Sequence, residues 1–338
     1  MTNSSECSAN TWEGVNEMRK IILDVDTGSD DAVAIMAALL AKDLKVEAIC
    51  STWGNLDLEH TTENTLRLVE AMGKGDKVPV YKGCYGPMVK NLCGDRLPMN
   101  IRPLYQDGVE VHMHDPELEL PRATIKPQDL PAPLFYVDYL MNAEEPVTLV
   151  PVGPLTSLGH ALTIRPEIVK NIEEIVIMGG GDKVANVTPN AEFNIWADPE
   201  AAEIVVNCGA KVTWVPLDAT HAAYLTKTDC ERFRKIGTFE AKFAADLIEH
   251  RILAHTLGQP LAEPDAAAVH DPLCICYLID PTVLKDVEPV NIHLGFYGTG
   301  EGETIIDRRE GKREPNCFFA FDGDRFKFCD ILCDLFTY

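Results

Sequence analysis

The sequence predicts an α/β fold: an open, mostly parallel, Rossmann-like sheet with helices on both faces. Three observations predict it. Apolar runs of strand length alternate with segments of helical periodicity along most of the chain. The runs are apolar enough for strands covered on both faces. Several end in polar residues, where a parallel sheet opens on its ligand.

Each element follows in order. Residues 20–26 (KIILDVD) form an apolar run ending in carboxylates, which predicts a buried strand. A helix is expected over 29–43, with Ala32, Ile35, Met36, Leu39 and Leu40 on one face. A strand over 45–53, a helix over about 59–73 and a strand over 78–83 come next. Residues 84–130 hold many prolines and little periodicity, and so long a stretch is expected to be functional, often a lid over a site. The alternation resumes with a helix near 132–143, a strand at 147–153, a helix at 155–172 and a strand at 173–180. A second irregular stretch spans 181–197, before a helix at 198–207 and a strand at 210–218. Helical segments are expected over about 227–258 and 272–279, then strands near 287–295, 302–308 and 317–322 and a last helix. Asp24, Asp26, Asn55, Val152, Met178 and Asp218 stand at strand ends. No repeat or linker interrupts the pattern, so one domain is expected over 20–338, after a flexible tail at 1–19.

Composition narrows the function. Of 338 residues, 46% are hydrophobic, enough to bury a sizeable core. The formal net charge of −23 repels phosphate backbones and anionic membranes, so neither nucleic acid nor membrane is an expected partner. Acidic clusters suit a bound cation and a neutral polyhydroxyl ligand. The 11 cysteines form no CxxC pair or zinc spacing, and Cys274, Cys276, Cys329 and Cys333 sit in apolar runs. Reduced thiols and the absence of an apolar signal core point to a cytoplasmic protein.

The sharpest motif is DVDTGSDD, residues 24–31, with four carboxylates at a strand-to-helix turn. Like charges this close repel unless a cation neutralises them, and all-oxygen donors favour calcium or magnesium. Asp30 and Asp31 have a second explanation, since acidic groups complement a helix N-terminus. An EF-hand loop starting at Asp24 fails, because its fifth, sixth and twelfth positions hold Gly28, Ser29 and Ile35. A haloacid-dehalogenase-type phosphatase would place a threonine where Gly28 stands. His270-Asp271-Pro272 and Asp198-Pro199 read alone as helix caps. Gly179 to Gly181 reads as a tight turn, Trp214 as core, and Asp218 and His221 as structural.

DVDTGSDDAVAI resembles the amino-terminal signature of the inosine–uridine nucleoside hydrolase family, and the likeness continues in order. WGN (53–55), LVPVGPLTSL (149–158), IMGGG (177–181), NAEFNIWADPEAA (190–202), LDATH (217–221) and AAVHDP (267–272) are similar to its further segments. The resemblance implies hydrolysis of the N-glycosidic bond of ribonucleosides to ribose and free base. It implies one Ca2+ held by Asp26, Asp31, Asp271 and the main-chain carbonyl of Val152. It assigns Asp30, Asn194 and Asp271 to the ribose 2′- and 3′-hydroxyls, and Asn186 and Glu192 to the 5′-hydroxyl. Met178 then lines the sugar site with Phe193 in the central motif, and Asn55 orients the water and the aspartates. The partner implied is a small-molecule ribonucleoside, and the assembly a homodimer or homotetramer.

The chemistry is coherent. Breaking an N-glycosidic bond builds positive charge on the ribose, which nearby carboxylates stabilise. Calcium acidifies a water whose proton Asp26 can accept. A departing base needs a proton or hydrogen bond, and the resemblance puts His270 on the base side to give it. His114 and His255 are the alternatives. The lid departs from the family pattern: VHMHDPELELP (111–121) holds His114, the nearest match to a histidine-glycine pair, with Asp115 where the glycine stands. Base preference therefore stays open. Two rival functions are a metal-dependent phosphatase and a non-catalytic nucleoside- or sugar-binding homologue.

Overall fold

Alternate residues of the first strand serve opposite sides of one sheet. The computed structural model describes residues 18–94, 96, 103–309 and 313–337. In β1 (Arg19–Val25), Ile21, Leu23 and Val25 enter one apolar layer and Ile22 the other. The chain continues through α1 (Ser29–Leu40), β2 (Leu44–Ser51), α2 (Leu58–Ala71) and β3 (Val80–Lys82). A hairpin, β4 (Leu104–Gln106) and β5 (Val109–Val111), precedes α3 (Ala132–Asn142), β6 (Val147–Pro151), α4 (Thr156–Ile164) and β7 (Ile172–Met178). Then come α5 (Phe193–Ala197), α6 (Pro199–Val206), β8 (Val212–Val215), α7 (Leu217–Ala222), β9 (Leu225–Thr226), α8 (Lys227–Ile236) and α9 (Phe239–Gly258). The last part holds β10 (Ala266–Ala267), α10 (Pro272–Ile279), β11 (Leu284–Val290), β12 (Ile292–Leu294), β13 (Thr304–Ile306), β14 (Cys317–Gly323) and α11 (Arg325–Phe336).

Eight strands form the central sheet in the order β11-β14-β8-β7-β6-β1-β2-β3. Every neighbouring pair is parallel except β11 with β14. The chain builds outward from β1 through β2 and β3 on one side, and from β6 through β7 and β8 on the other. The strand order therefore switches between β1 and β6, and the crevice beyond their carboxyl ends is where such a sheet takes a ligand. Asp26, Asn55 and Val152 follow β1, β2 and β6, and Met178 ends β7.

The α/β fold stands as expected, with differences of physical origin. The helix expected over 29–43 ends at Leu40, and from Ser29 to Ala38 it is buried on every side rather than on one face. The helix expected over 155–172 stops at Ile164. Pro166 disfavours a helical residue before it, Arg165 leaves the helix with φ −143° and ψ 84°, and a 3-10 turn carries the chain to Asn171. The segment expected over 227–258 breaks at Gly237 (φ 92°), and the Thr238 hydroxyl then caps α9. The strand at 210–218 ends at Val215, and Leu217 already opens α7. The expected strand near 287–295 divides into β11 and β12. The stretch 84–130 is not wholly irregular: an Asp107-Gly108 turn, with φ of 50° and 83°, closes the β4–β5 hairpin. Of the expected tail, 1–17 lies outside the described residues, and Arg19 opens β1. Among the described residues, no helix is long and apolar enough to cross a membrane.

Candidate active site

The turn from β1 into α1 packs its carboxylates below the surface. Asp26, Asp30 and Asp31 are at most 3% exposed, as is Asp271 at the start of α10. Asp31 reaches back into its own loop. Its Oδ1 accepts from the Asp26 N–H at 3.0 Å and its Oδ2 from the Gly28 N–H at 2.9 Å. Asp31 thus serves the start of its own helix through the Gly28 N–H. Asp26 Oδ2 accepts from the Asn55 N–H at 2.7 Å, while its Oδ1 is buried with no partner. Gly54 and Gly153 form the cradle for that carboxylate. A Cβ on either would come within 2.1 Å of Oδ2 or 2.7 Å of Oδ1.

Asp271 decides between capping and ligation. It occupies the N-cap of α10, with Pro272 at the first helical position, yet its side chain makes no cap hydrogen bond. Its carboxylate joins those of Asp30 and Asp31, the three offering oxygens within 4.8 Å of one another. Burial pushes the Asp271 carboxyl well above its ordinary range, with further repulsion from Asp30, Asp31 and Asp26. Burial, reinforced by Asp31, raises Asp26 in the same way, and burial followed by Asp30 raises Asp31 to about 6. Such a cluster can hold a metal ion, which would remove the repulsion.

One cation is already present. Arg251 of α9 is buried, and its guanidinium grips both Asp30 oxygens at 3.1 and 3.0 Å. It also donates to the Ala268 carbonyl at 2.6 Å and the Ser29 hydroxyl at 3.2 Å. Around it lie four histidines. Burial lowers His270 well below its ordinary value, His255 to about 3, and His221 and His114 to about 4, and the Arg251 charge adds to each. Burial thus favours the neutral imidazole at all four.

Above this floor opens a cavity of about 560 Å³. Every site residue expected from the sequence lines it except Asp26 and Asp31, which lie beneath: Asp30, Asn55, His114, Val152, Met178, Asn186, Glu192, Phe193, Asn194, His270 and Asp271. Asn55 sits between two aspartates, its amide 3.3 Å from Asp31 Oδ2. The Asn194 amide donates to the Val152 carbonyl at 2.7 Å and the Met178 carbonyl at 3.2 Å, which ties the ends of β6 and β7 together. Glu192 spends its carboxylate on the backbone N–H groups of Gly180, Asn194 and Ile195. Asn186 Oδ1 accepts from the Phe193 N–H at 2.9 Å. His114 packs on the β1–α1 turn, its Nδ1 3.3 Å from the Ser29 nitrogen and 3.8 Å from Asp30. His255 also lines the cavity, its Nδ1 3.1 Å from the Gln259 carbonyl oxygen.

Some strand-end residues stand outside the site. Asp24 points under α3, where the Tyr136 hydroxyl donates to it at 3.0 Å. Asp218 accepts from the N–H groups of Asp182 and Lys183, a structural role, and Asp198 caps α6. Trp214 is core, while Trp196 lies 5% exposed against the Lys90 ammonium. Arg251 and the hairpin residues that roof the cavity, such as Leu104 and Val111, are the contributors that sequence reasoning missed. The Asp-Gly turn signalled the hairpin; for Arg251 nothing local to its helix signals burial.

Comparison with known proteins agrees with this geometry. The profile described as "Inosine-uridine preferring nucleoside hydrolase" matches residues 21–330. The chain is 34% identical to the pyrimidine-specific ribonucleoside hydrolase RihA of Photobacterium profundum, over 94% of this chain and 98% of that protein. It is 36% identical to its counterpart in Escherichia coli O1:K1 / APEC, over 93% and 97%. A plant nucleoside hydrolase superposes with a TM-score of 0.81 at 27% identity, covering 94% of this chain and 99% of that one. A purine-preferring ribonucleoside hydrolase from Gardnerella vaginalis gives 0.80 at 30% identity, with the same coverage.

Proposed function

We propose, from the premise that this chain belongs to the inosine-uridine preferring nucleoside hydrolase family, a mechanism in which Asp26 takes the proton of the attacking water and His270 serves the departing base. The chain is a nucleoside hydrolase that cleaves ribonucleosides to ribose and free base. The observation that carries the mechanism is the Asp271 carboxylate, left uncapped at its helix start and turned onto Asp30 and Asp31.

Asp26, Asp31, Asp271 and the Val152 carbonyl would hold a calcium ion, which when bound supplies an oriented, acidified water. The donor set fits: oxygen atoms only, and an orphaned Asp26 Oδ1. Asp30 belongs to the close trio, but both its oxygens face Arg251, so a second cation there would meet repulsion. Asp30 therefore goes to the ribose hydroxyls, with Asn194 and Asp271 beside it. Burial raises the proton affinity of Asp26, which suits a base. Glu192 and Asn186, fixed by backbone bonds, border the 5′ end; Met178 and Phe193 flank the sugar, and Asn55 orients the water and the two aspartates it bonds, Asp26 and Asp31. The ionised floor stabilises positive charge developing on the ribose. His114 closes the β1–α1 turn.

The relatives include pyrimidine-specific and purine-preferring enzymes, so both base classes are proposed substrates. We also propose one domain over 20–338, a homodimer or homotetramer, and a cytoplasmic setting consistent with ten free thiols among the described residues. The deciding experiment is a panel of purine and pyrimidine ribonucleosides, with and without chelator, read by release of reducing sugar. Chelator-sensitive release is expected. Full activity after exhaustive chelation would sink the calcium mechanism while leaving the hydrolase.

A further inference from the structure

We infer that Thr220 is a positioning residue that holds His270 at its Nδ1, so that the ring presents an Nε2–H donor to the departing base. This rests on the base-side role proposed for His270.

The argument begins with one hydroxyl proton. Thr220 lies in α7, fully buried, with its Oγ1 2.7 Å from His270 Nδ1. The hydroxyl has one other acceptor in reach, the Leu217 carbonyl three residues back, at 3.4 Å. A threonine inside a helix ordinarily donates to the carbonyl three or four residues before it. At 3.4 Å that bond is far beyond the usual O–H···O separation of about 2.7–2.8 Å, whereas the contact to Nδ1 is at full strength. If Nδ1 carried the proton, the hydroxyl would be the acceptor. Its own proton would then be left, on a fully buried hydroxyl, to the stretched bond. The better state has Thr220 donating to Nδ1.

An imidazole that accepts at Nδ1 while neutral carries its proton on Nε2. His270 lines the cavity, and with Nδ1 taken by Thr220, Nε2 is the nitrogen left for a ligand. His221 stacks on the ring with centroids 5.8 Å apart, which limits rotation. The ring therefore enters the reaction as a hydrogen-bond donor aimed at negative charge building on the leaving base. No proton need leave it for that stabilisation.

The test pairs two substrates and two variants. Thr220→Val removes the hydroxyl at similar volume, and Thr220→Ser restores it. For a natural ribonucleoside, Thr220→Val is expected to lower kcat/KM on the order of a hundredfold, within the range of a positioned acid. For a nitrophenyl riboside, whose leaving group needs no donor, the loss should stay within about threefold, since binding and the water side are untouched. Thr220→Ser should recover the natural substrate. Nitrogen NMR of the 15N-histidine-labelled enzyme, with His270 assigned by its variant, should show an Nε2–H tautomer that Thr220→Val abolishes. Equal losses on both substrates would make Thr220 a packing residue and overturn the inference. So would an Nδ1–H signal in the wild type. His270→Ala separates the two levels. If it slows the natural substrate and Thr220→Val does not, the tautomer inference fails alone. If it spares the natural substrate, the base-side role of His270 fails and takes the inference with it.

Discussion

At the scale of single residues, the site is governed by one cation among four acids. Arg251 holds Asp30 through two charge-assisted bonds in a buried setting. Arg251→Met would strand the Asp30 charge, and removing one partner of a buried pair costs about 3–5 kcal/mol. A clearly lower urea midpoint is expected, together with a raised KM for ribonucleosides. An unchanged midpoint and KM would show that Asp30 needs no partner. Asp26→Asn addresses the water side. It keeps the shape but not the basicity, and turnover should fall on the order of a hundred- to ten-thousandfold. A folded variant with near-normal turnover would move the base elsewhere. The acids were legible as charge density in DVDTGSDD, and Asp271 through its motif. Arg251 was not legible, because its burial arises from α9 packing on α1, a helix distant in sequence, with Asp30 and Ser29 at its start.

At the scale of elements, the end of β1 separates two aspartates, Asp24 within the strand and Asp26 in the turn beyond it. Asp26 follows the strand into the site, while Asp24 lies among the core under α3, beside Tyr136. Burial lifts the Asp24 carboxyl from its ordinary 3.8 to about 7, against a partly opposing bond from Tyr136. The folded state therefore binds the Asp24 proton more tightly than the unfolded state. Stability from this group is full below about pH 4 and is lost as pH rises through about 7. Asp24→Asn, neutral throughout, should match the wild type at pH 4 and exceed its melting temperature at pH 8. A variant less stable at pH 8 would mean that Asp24 is ionised and stabilising there. Strand positions were readable from apolar runs, and α1, α2 and α10 from their periodicity or caps. Where β1 stops and its turn begins depends on tertiary packing, so only the family resemblance separated Asp26 from Asp24 in sequence. Pro166 and Gly237 carried visible break signals inside segments whose apolar pattern continues on both sides.

At the scale of the whole molecule, the strand-order switch between β1 and β6 gathers residues from positions 26 to 271 around one crevice. That concentrates Asp26, Asp30, Asp31 and Asp271, with Arg251 balancing one of them. The metal-free fold must therefore absorb carboxylate repulsion, and it can do so by retaining protons. Asp31, lifted from 3.8 to about 6 by burial and Asp30, sets the window. Without metal, stability falls as pH rises from about 4 through 6, because the folded state is the better proton binder there. With calcium the same groups must be deprotonated to ligate, so binding strengthens as pH rises through that window. Calcium at a hundred times its Kd adds about 2.7 kcal/mol to the native state. Calorimetry with calcium and with chelator at pH 4.5 and 7.5 separates these effects. Calcium should raise the melting temperature by several degrees at pH 7.5 and by little at pH 4.5. The chelated enzyme alone should melt lower at 7.5 than at 4.5 if this cluster dominates its pH dependence. Identical melting with calcium and with chelator at pH 7.5 would remove the carboxylate cluster as a metal site.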